Sequence, residues 1–141
     1  MSERVGAARR RAVIDRAVGC CEYCGLPDDV LRLPHEPDHI AATQHGGQTT
    51  PDNLACTCFR CNRFKGPNLA SIDPQTGEVV LLFHPRNDCW TEHFRWRGAE
   101  IIQLTGVGRA TASLLRFNDP ERIVLRNGLM RQGRYRFLER S

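Results

Sequence analysis

Apolar positions fall in short groups along the chain, separated by glycine, proline and asparagine. In AARRRAVIDRAV, residues 7–18, Val13, Ala17 and Val18 share a helical stripe, while Arg9, Arg10, Arg11 and Arg16 mark the wetter faces. This predicts a helix that Gly19 ends. LPDDVLRLP (26–34) reads as loop. HEPDHIA (35–41) predicts a short strand, at an edge or bulged because Pro37 lies in it. HGGQTTPDN supplies a turn at Gly46-Gly47. Asp52 or Asn53 is placed to cap a helix that starts at Leu54 and ends near Gly66-Pro67.

Further along, Thr76-Gly77 predicts a turn, followed by a strand over Val79 to Phe83. AEIIQL is a second strand. RATASLLRF, after Gly106 and Gly108, is helical in pattern, and Asn118-Asp119-Pro120 is a helix start with proline at the first position. The remainder, ERIVLRNGLMRQGRYRFLER, predicts a basic helix with Ile123, Leu125 and Leu129 inward, weakened by Gly128 and Gly133. The mixture of short strands and helices without a repeat places the chain in the α+β class. We expect one domain over residues 1–141: an N-terminal helix (7–18), a core of about 20–67 and an α/β extension (68–141).

Composition narrows this modestly. With 40% hydrophobic and 26% charged residues the chain has an ordinary globular makeup, and no apolar run approaches the roughly 20 residues that span a bilayer. The basic N-terminus carries no continuous apolar stretch, from which a cytoplasmic location is expected. The net charge is +4, and of the 20 basic residues every one but Lys65 is arginine. The guanidinium fork matches phosphate oxygens, so nucleic acid is a compatible partner. A solvated arginine surface gives the same composition.

Seven cysteines matter more. Cys21 and Cys24 form one Cys-x-x-Cys unit and Cys58 and Cys61 another, separated by 34 residues (58 − 24). In a reducing compartment this pattern points to a metal rather than to disulfides. Four thiolates satisfy tetrahedral zinc with no open position, so the site is expected to be structural, with an apparent contribution to folding of about 10–16 kcal/mol. Cys20 and Cys56 make no such pair, and Cys89 is expected in packing.

A second group consists of Asp38, His39, Asn53 and Asn62. Phosphodiester hydrolysis needs a base for water and a divalent cation on the phosphate. Histidine titrates near neutrality, and a carboxylate with an amide carbonyl suits Mg²⁺ or Mn²⁺. Asp38 and Asn62 are the candidate ligands and His39 the candidate base. Neighbours on a regular strand point to opposite faces, so Asp38 and His39 share a site only if the strand twists, bulges or ends there.

The run DHI…HGG…DNL…C-x-x-CN-x-x-K, with the upstream CEYCG, resembles the zinc-stabilised branch of the HNH endonuclease family over roughly residues 20–67. The tail, less specifically, resembles the extension of small standalone bacterial HNH proteins. The resemblance implies a ββα-metal (His-Me finger) core of two short strands and a helix around one divalent ion. By that resemblance His39 is the general base, Asp38 and Asn62 hold Mg²⁺ or Mn²⁺, Asn53 fixes the loop carrying the base, and Lys65 contacts phosphate. It also implies cleavage leaving 5′-phosphate and 3′-hydroxyl ends. Two positions depart from the pattern. Ala42 stands where the family often has proline. Glu36 stands where many zinc-branch members have histidine, with His35 one step earlier.

Lesser candidates are His45, beside Gly46-Gly47, as a phosphate contact or a surface residue; His35, as an assistant at the site or a loop residue; and His84 and His93, as structural groups. LTGVGRATASLL resembles the hairpin of a helix-hairpin-helix motif, although AEIIQL before it is β-like. The six arginines of residues 121–141 either line a duplex or solvate a helix. The expected function is a metal-dependent endonuclease acting on double-stranded DNA. The alternatives are an inactive zinc-stapled nucleic-acid-binding module and an RNA-directed nuclease.

Overall fold

The computed structural model describes residues 5–30, 32–135 and 137. The first four residues, and positions 136 and 138–141 of the basic tail, lie outside the described residues.

The N-terminal helix, α1, spans Ala7–Arg16, with Val13 and Ala17 buried. Val18 does not join that stripe. It is exposed at φ +53°, and with Gly19 at φ +69° it unwinds the helix end, while the Val18 and Gly19 amides bond the carbonyls of Asp15 and Ile14 at 3.0 Å. Two arginines expected in solvent instead clamp α1 to residues 35–54. Arg16 donates to the carbonyls of Pro51 (2.9 Å) and Leu54 (2.6 Å). Arg10 donates to the carbonyl of His35 (2.9 Å) and pairs with Glu36.

Strands β1 (Glu36–His39) and β2 (Leu54–Thr57) form an antiparallel hairpin in which Pro37 faces Cys56 and His39 faces Leu54. The helix expected from Leu54 is therefore corrected. Residues Pro51–Asn53 make a single 3₁₀ turn, and Leu-Ala-Cys-Thr is a strand. All four strand residues are buried, Leu54 and Cys56 under α1 and Ala55 in the main core, so no alternation marks the strand in the sequence. The helix proper, α2, spans Phe59–Lys65 and is capped by Cys58, whose sulfur accepts the Cys61 amide at 3.4 Å.

Among the described residues the extension adds two more hairpins and three helices. Strands β3 (Ala70–Ile72) and β4 (Val79–Leu81) are joined by the turn at Gly77. A short helix, α3 (Trp90–His93), leads into β5 (Phe94–Arg97), which pairs with β6 (Glu100–Gln103). Helices α4 (Gly106–Leu114) and α5 (Pro120–Arg131) come next. β4 stops before Phe83 because the Phe83 amide bonds the Thr111 hydroxyl (2.9 Å) instead of a strand. The run before α4 is strand β6, so the first helix of a helix-hairpin-helix is not there.

Phe83, Trp90, Phe94, Ile101, Leu115 and Phe117 pack in one core with Cys21, Tyr23 and Cys24, so the extension and the knuckles bury each other. On α5 the inward residues are Arg122, Arg126 and Leu129, while Leu125 lies at the surface. This corrects the apolar stripe expected there. The two guanidiniums are buried because backbone carbonyls receive them, Leu115 O at 2.6 Å for Arg122 and Ala99 O at 2.8 Å for Arg126. Among the described residues no helix is long and apolar enough to cross a membrane.

Candidate functional site

The two knuckles converge. The sulfurs of Cys21, Cys24, Cys58 and Cys61 lie within 4.8 Å of one another, all buried and none in a disulfide. The Cys24–Cys58 sulfur separation is 3.7 Å. A tetrahedron with Zn–S bonds of about 2.3 Å has edges of about 3.8 Å, so the four-sulfur set fits zinc. Sulfur contacts from Cys21, Cys58 and Cys61 hold the Cys24 thiol well below its ordinary value, whereas burial pushes Cys21 and Cys61 up.

No motif announces the fifth participant. Arg122 reaches in from α5 and donates to the sulfurs of Cys61 (3.2 Å) and Cys58 (3.9 Å), as well as to the Leu115 and Arg116 carbonyls. Burial opposes its charge, but the sulfurs of Cys61, Cys24 and Cys58 outweigh burial, so its basicity is raised. A zinc tetrathiolate carries two negative charges, and this guanidinium offsets one of them while anchoring the end of α4.

Asp38 leaves β1 toward α2 and is 9% exposed. Its Oδ2 lies 3.0 Å from Lys65 Nζ, off hydrogen-bond geometry, and makes no hydrogen bond among the described residues. Burial pushes the Asp38 carboxyl up, opposed by the Lys65 ammonium through both its charge and its close contact, and more weakly by His39. The family resemblance puts Lys65 on phosphate. It is instead 1% exposed, with its ammonium on Asp38 and on the His39 carbonyl (3.2 Å), because its long stem runs inward from the last turn of α2. Asn62 sits one turn before Lys65, on the same face of α2, and with Glu36, Leu33, Pro34, Phe59 and Arg63 it lines a cavity of about 410 Å³. A buried carboxylate oxygen without a hydrogen bond is a hard donor of the kind that suits Mg²⁺ or Mn²⁺, and the Asn62 amide, one turn before Lys65 on α2, is of the same hard-oxygen class.

β1 ends at His39, and Asp38 and His39, both in regular register with β2, send their side chains to different elements. Asp38 meets α2, and the His39 imidazole, 5% exposed, meets the loop, with Nε2 2.9 Å from Thr49 Oγ1. Sequence reasoning misses Thr49, since nothing in Gln-Thr-Thr-Pro singles it out. Asn53 closes the loop: its Oδ1 accepts the Ala41 amide (2.9 Å), and its Nδ2 donates to the carbonyls of Ala41 (3.0 Å) and Gln48 (2.8 Å). Gly47 lies so close that a Cβ there would fall 1.7 Å from the Ala41 oxygen, so only glycine fits. His45 is exposed on the 3₁₀ turn Thr43–His45 inside this loop. The turn starts after Ala42, which holds φ −60° and ψ 151° without being proline.

The remaining candidates are structural. His35 is buried with Nε2 2.7 Å from the Leu26 carbonyl, His84 accepts the Arg86 and Asn87 amides, and His93 bonds the Thr105 hydroxyl at 2.6 Å. Glu36, where the family pattern has histidine, is taken by Arg10. Cys20 and Cys56 are buried outside the four-sulfur set. Cys89 is exposed beside the Thr91 hydroxyl rather than in packing. The amides that open α4 face inward: Thr105 caps the Gly108 amide at 3.0 Å, and the Asp73 carboxylate lies against Gly106.

No curated protein and no solved structure matches the chain. The family model described as HNH endonuclease matches residues 21–68, about a third of the chain. That segment holds both knuckles, the β1–β2 hairpin and α2, and over it the chain is similar to the HNH endonuclease family, the same family its motifs resemble.

Proposed function

We propose that this protein is a metal-dependent endonuclease that hydrolyses phosphodiester bonds in double-stranded DNA, with residues 20–67 as a ββα-metal core and the extension packed onto it as part of one domain. The observation that carries the reading is the loop lock: three Asn53 hydrogen bonds and Gly47 hold the loop after His39, and Thr49 on that loop holds the imidazole. A surface histidine would have no need of such support.

Each residue has its own share of the work. Thr49 engages Nε2 of His39, which leaves Nδ1 as the nitrogen for a water. In the tautomer that donates Nε2–H to the threonine oxygen, Nδ1 would take the water's proton as general base. Asp38 and Asn62 would hold a divalent ion, which when bound offsets charge on the phosphate and on the leaving 3′ oxygen. Asn53 acts on the loop and through it on the base. His45, exposed on the same loop, is placed to meet phosphate. The four-sulfur site takes no part in the chemistry and fixes α2 against the first knuckle. We place the protein in the cytoplasm, a compartment in which a four-thiolate metal site persists without oxidising to disulfides.

The test is incubation of zinc-loaded protein with supercoiled plasmid and Mg²⁺ or Mn²⁺, with and without chelator, and in parallel with an RNA substrate. Metal-dependent cleavage of the plasmid supports the proposal. Binding without nicking would replace it with a zinc-stapled binding module, and cleavage of RNA alone would replace the substrate.

A further inference from the structure

Lys65 is the only lysine in a chain whose other 19 basic residues are arginines, and it is among the most deeply buried side chains. Its ammonium touches two oxygens, Asp38 Oδ2 at 3.0 Å and the His39 carbonyl at 3.2 Å. A carboxylate and a carbonyl are hard donors of the kind that bind Mg²⁺ or Mn²⁺. An ammonium is a compact point charge, and the planar fork of arginine would not sit between these two atoms in the same way. Buried as it is, Oδ2 has no hydrogen bond among the described residues, only this ion pair. The lysine stem leaves α2 one turn beyond Asn62, so the ammonium and the Asn62 amide share one helix face.

We propose that Lys65 is a tethered counter-cation of the metal cradle: its ammonium and a divalent ion compete for the Asp38 carboxylate, and the ion binds only by displacing the ammonium. This inference rests on the reading of Asp38 as a metal ligand. Lys65 keeps a buried carboxylate neutralised when no ion is bound, which an uncompensated carboxylate in that position would not survive without cost to the fold. The same residue sets the affinity for the ion, because each binding event must first break an internal ion pair.

The test is Mn²⁺ binding to zinc-loaded protein, comparing the unaltered chain with Lys65→Met by titration calorimetry and by paramagnetic broadening of backbone amide signals. The proposal expects Lys65→Met to bind Mn²⁺ at least about tenfold more tightly, with broadening centred on Asp38, His39 and Asn62. It also expects Mn²⁺ to raise the melting temperature of the variant more than that of the parent. If Lys65→Met does not fold without a divalent ion, Mn²⁺ must restore it, and failure to restore it overturns the proposal. Equal affinities at Asp38 in the two proteins overturn the counter-cation role while leaving the metal cradle intact. Absence of Mn²⁺ at Asp38 in both proteins overturns the cradle and the counter-cation together.

Discussion

Asn53→Ala removes three hydrogen bonds at once and touches no reacting group. Two of the lost bonds are to Ala41, one to its amide and one to its carbonyl, and the third is to the carbonyl of Gln48, which is exposed. Each such bond is worth about 1 kcal/mol net, and water can replace the exposed one, so the expected loss is about 2–3 kcal/mol. In urea at saturating zinc, with a slope of about 2 kcal/mol/M, the unfolding midpoint should fall by roughly 1 M. Hydrogen exchange at the Ala41 amide should accelerate, while that at the buried Cys61 amide keeps its order. Cleavage should slow as well, since the loop that presents Thr49 to His39 loosens. A stability change under about 0.5 kcal/mol, the range of an ordinary surface substitution, would refute the view that Asn53 locks the loop.

Further expectations concern the sulfur site and the extension. Stripping the metal with a chelator, or replacing Cys58 by Ser, should unfold the knuckles and the core they share with Phe83 and Phe94; retention of the native circular dichroism and melting temperature after metal loss would argue against a structural site. Arg122→Met should weaken zinc binding about 10- to 100-fold in a chromophoric-chelator competition, because the Cys58 and Cys61 sulfurs lose the guanidinium that bonds them; unchanged affinity would show that Arg122 serves packing alone. The Asp73–Arg109 fork holds the Asp73 carboxyl well below the usual range. Its stabilising effect is therefore present above the unfolded pKa of about 3.9 and is lost as pH falls through the lower folded value. Asp73→Asn should be less stable than the parent at pH 7, with the gap closing only below about pH 4; a gap that stays constant down to pH 3 would be inconsistent with the ion pair.

The parts of the site legible in the sequence are those set by spacing. Two Cys-x-x-Cys units announce a four-sulfur cluster wherever the chain takes them, and the Asp-His, Gly-Gly and Asn positions belong to a loop whose geometry depends on its own residues. Gly47 and Asn53 are of that kind. What is not legible depends on neighbours far along the chain. Leu54 to Thr57 is buried on both faces, so it lacks the alternation of a strand, and Pro51-Asp52-Asn53 before it mimics a helix cap. β3 is three residues long and is specified by β4 rather than by its own pattern. Arginine is the most misleading residue type. Arg10, Arg16, Arg122 and Arg126 read as a solvated or phosphate-facing surface, yet each binds carbonyls within the fold. The short α2 likewise hides that Lys65 points inward, because seven residues carry too little periodicity to assign a face.

The proposed hydrolysis turns on the His39 imidazole, held by Thr49, taking the proton of the attacking water. The decisive experiment is the single-turnover rate of plasmid cleavage by His39→Ala beside the parent protein, at saturating Mg²⁺ or Mn²⁺ and with matched melting temperatures. A general base in this position requires a rate lower by about 10²–10⁴-fold with DNA binding retained. A rate equal to the parent's would remove His39 from the chemistry.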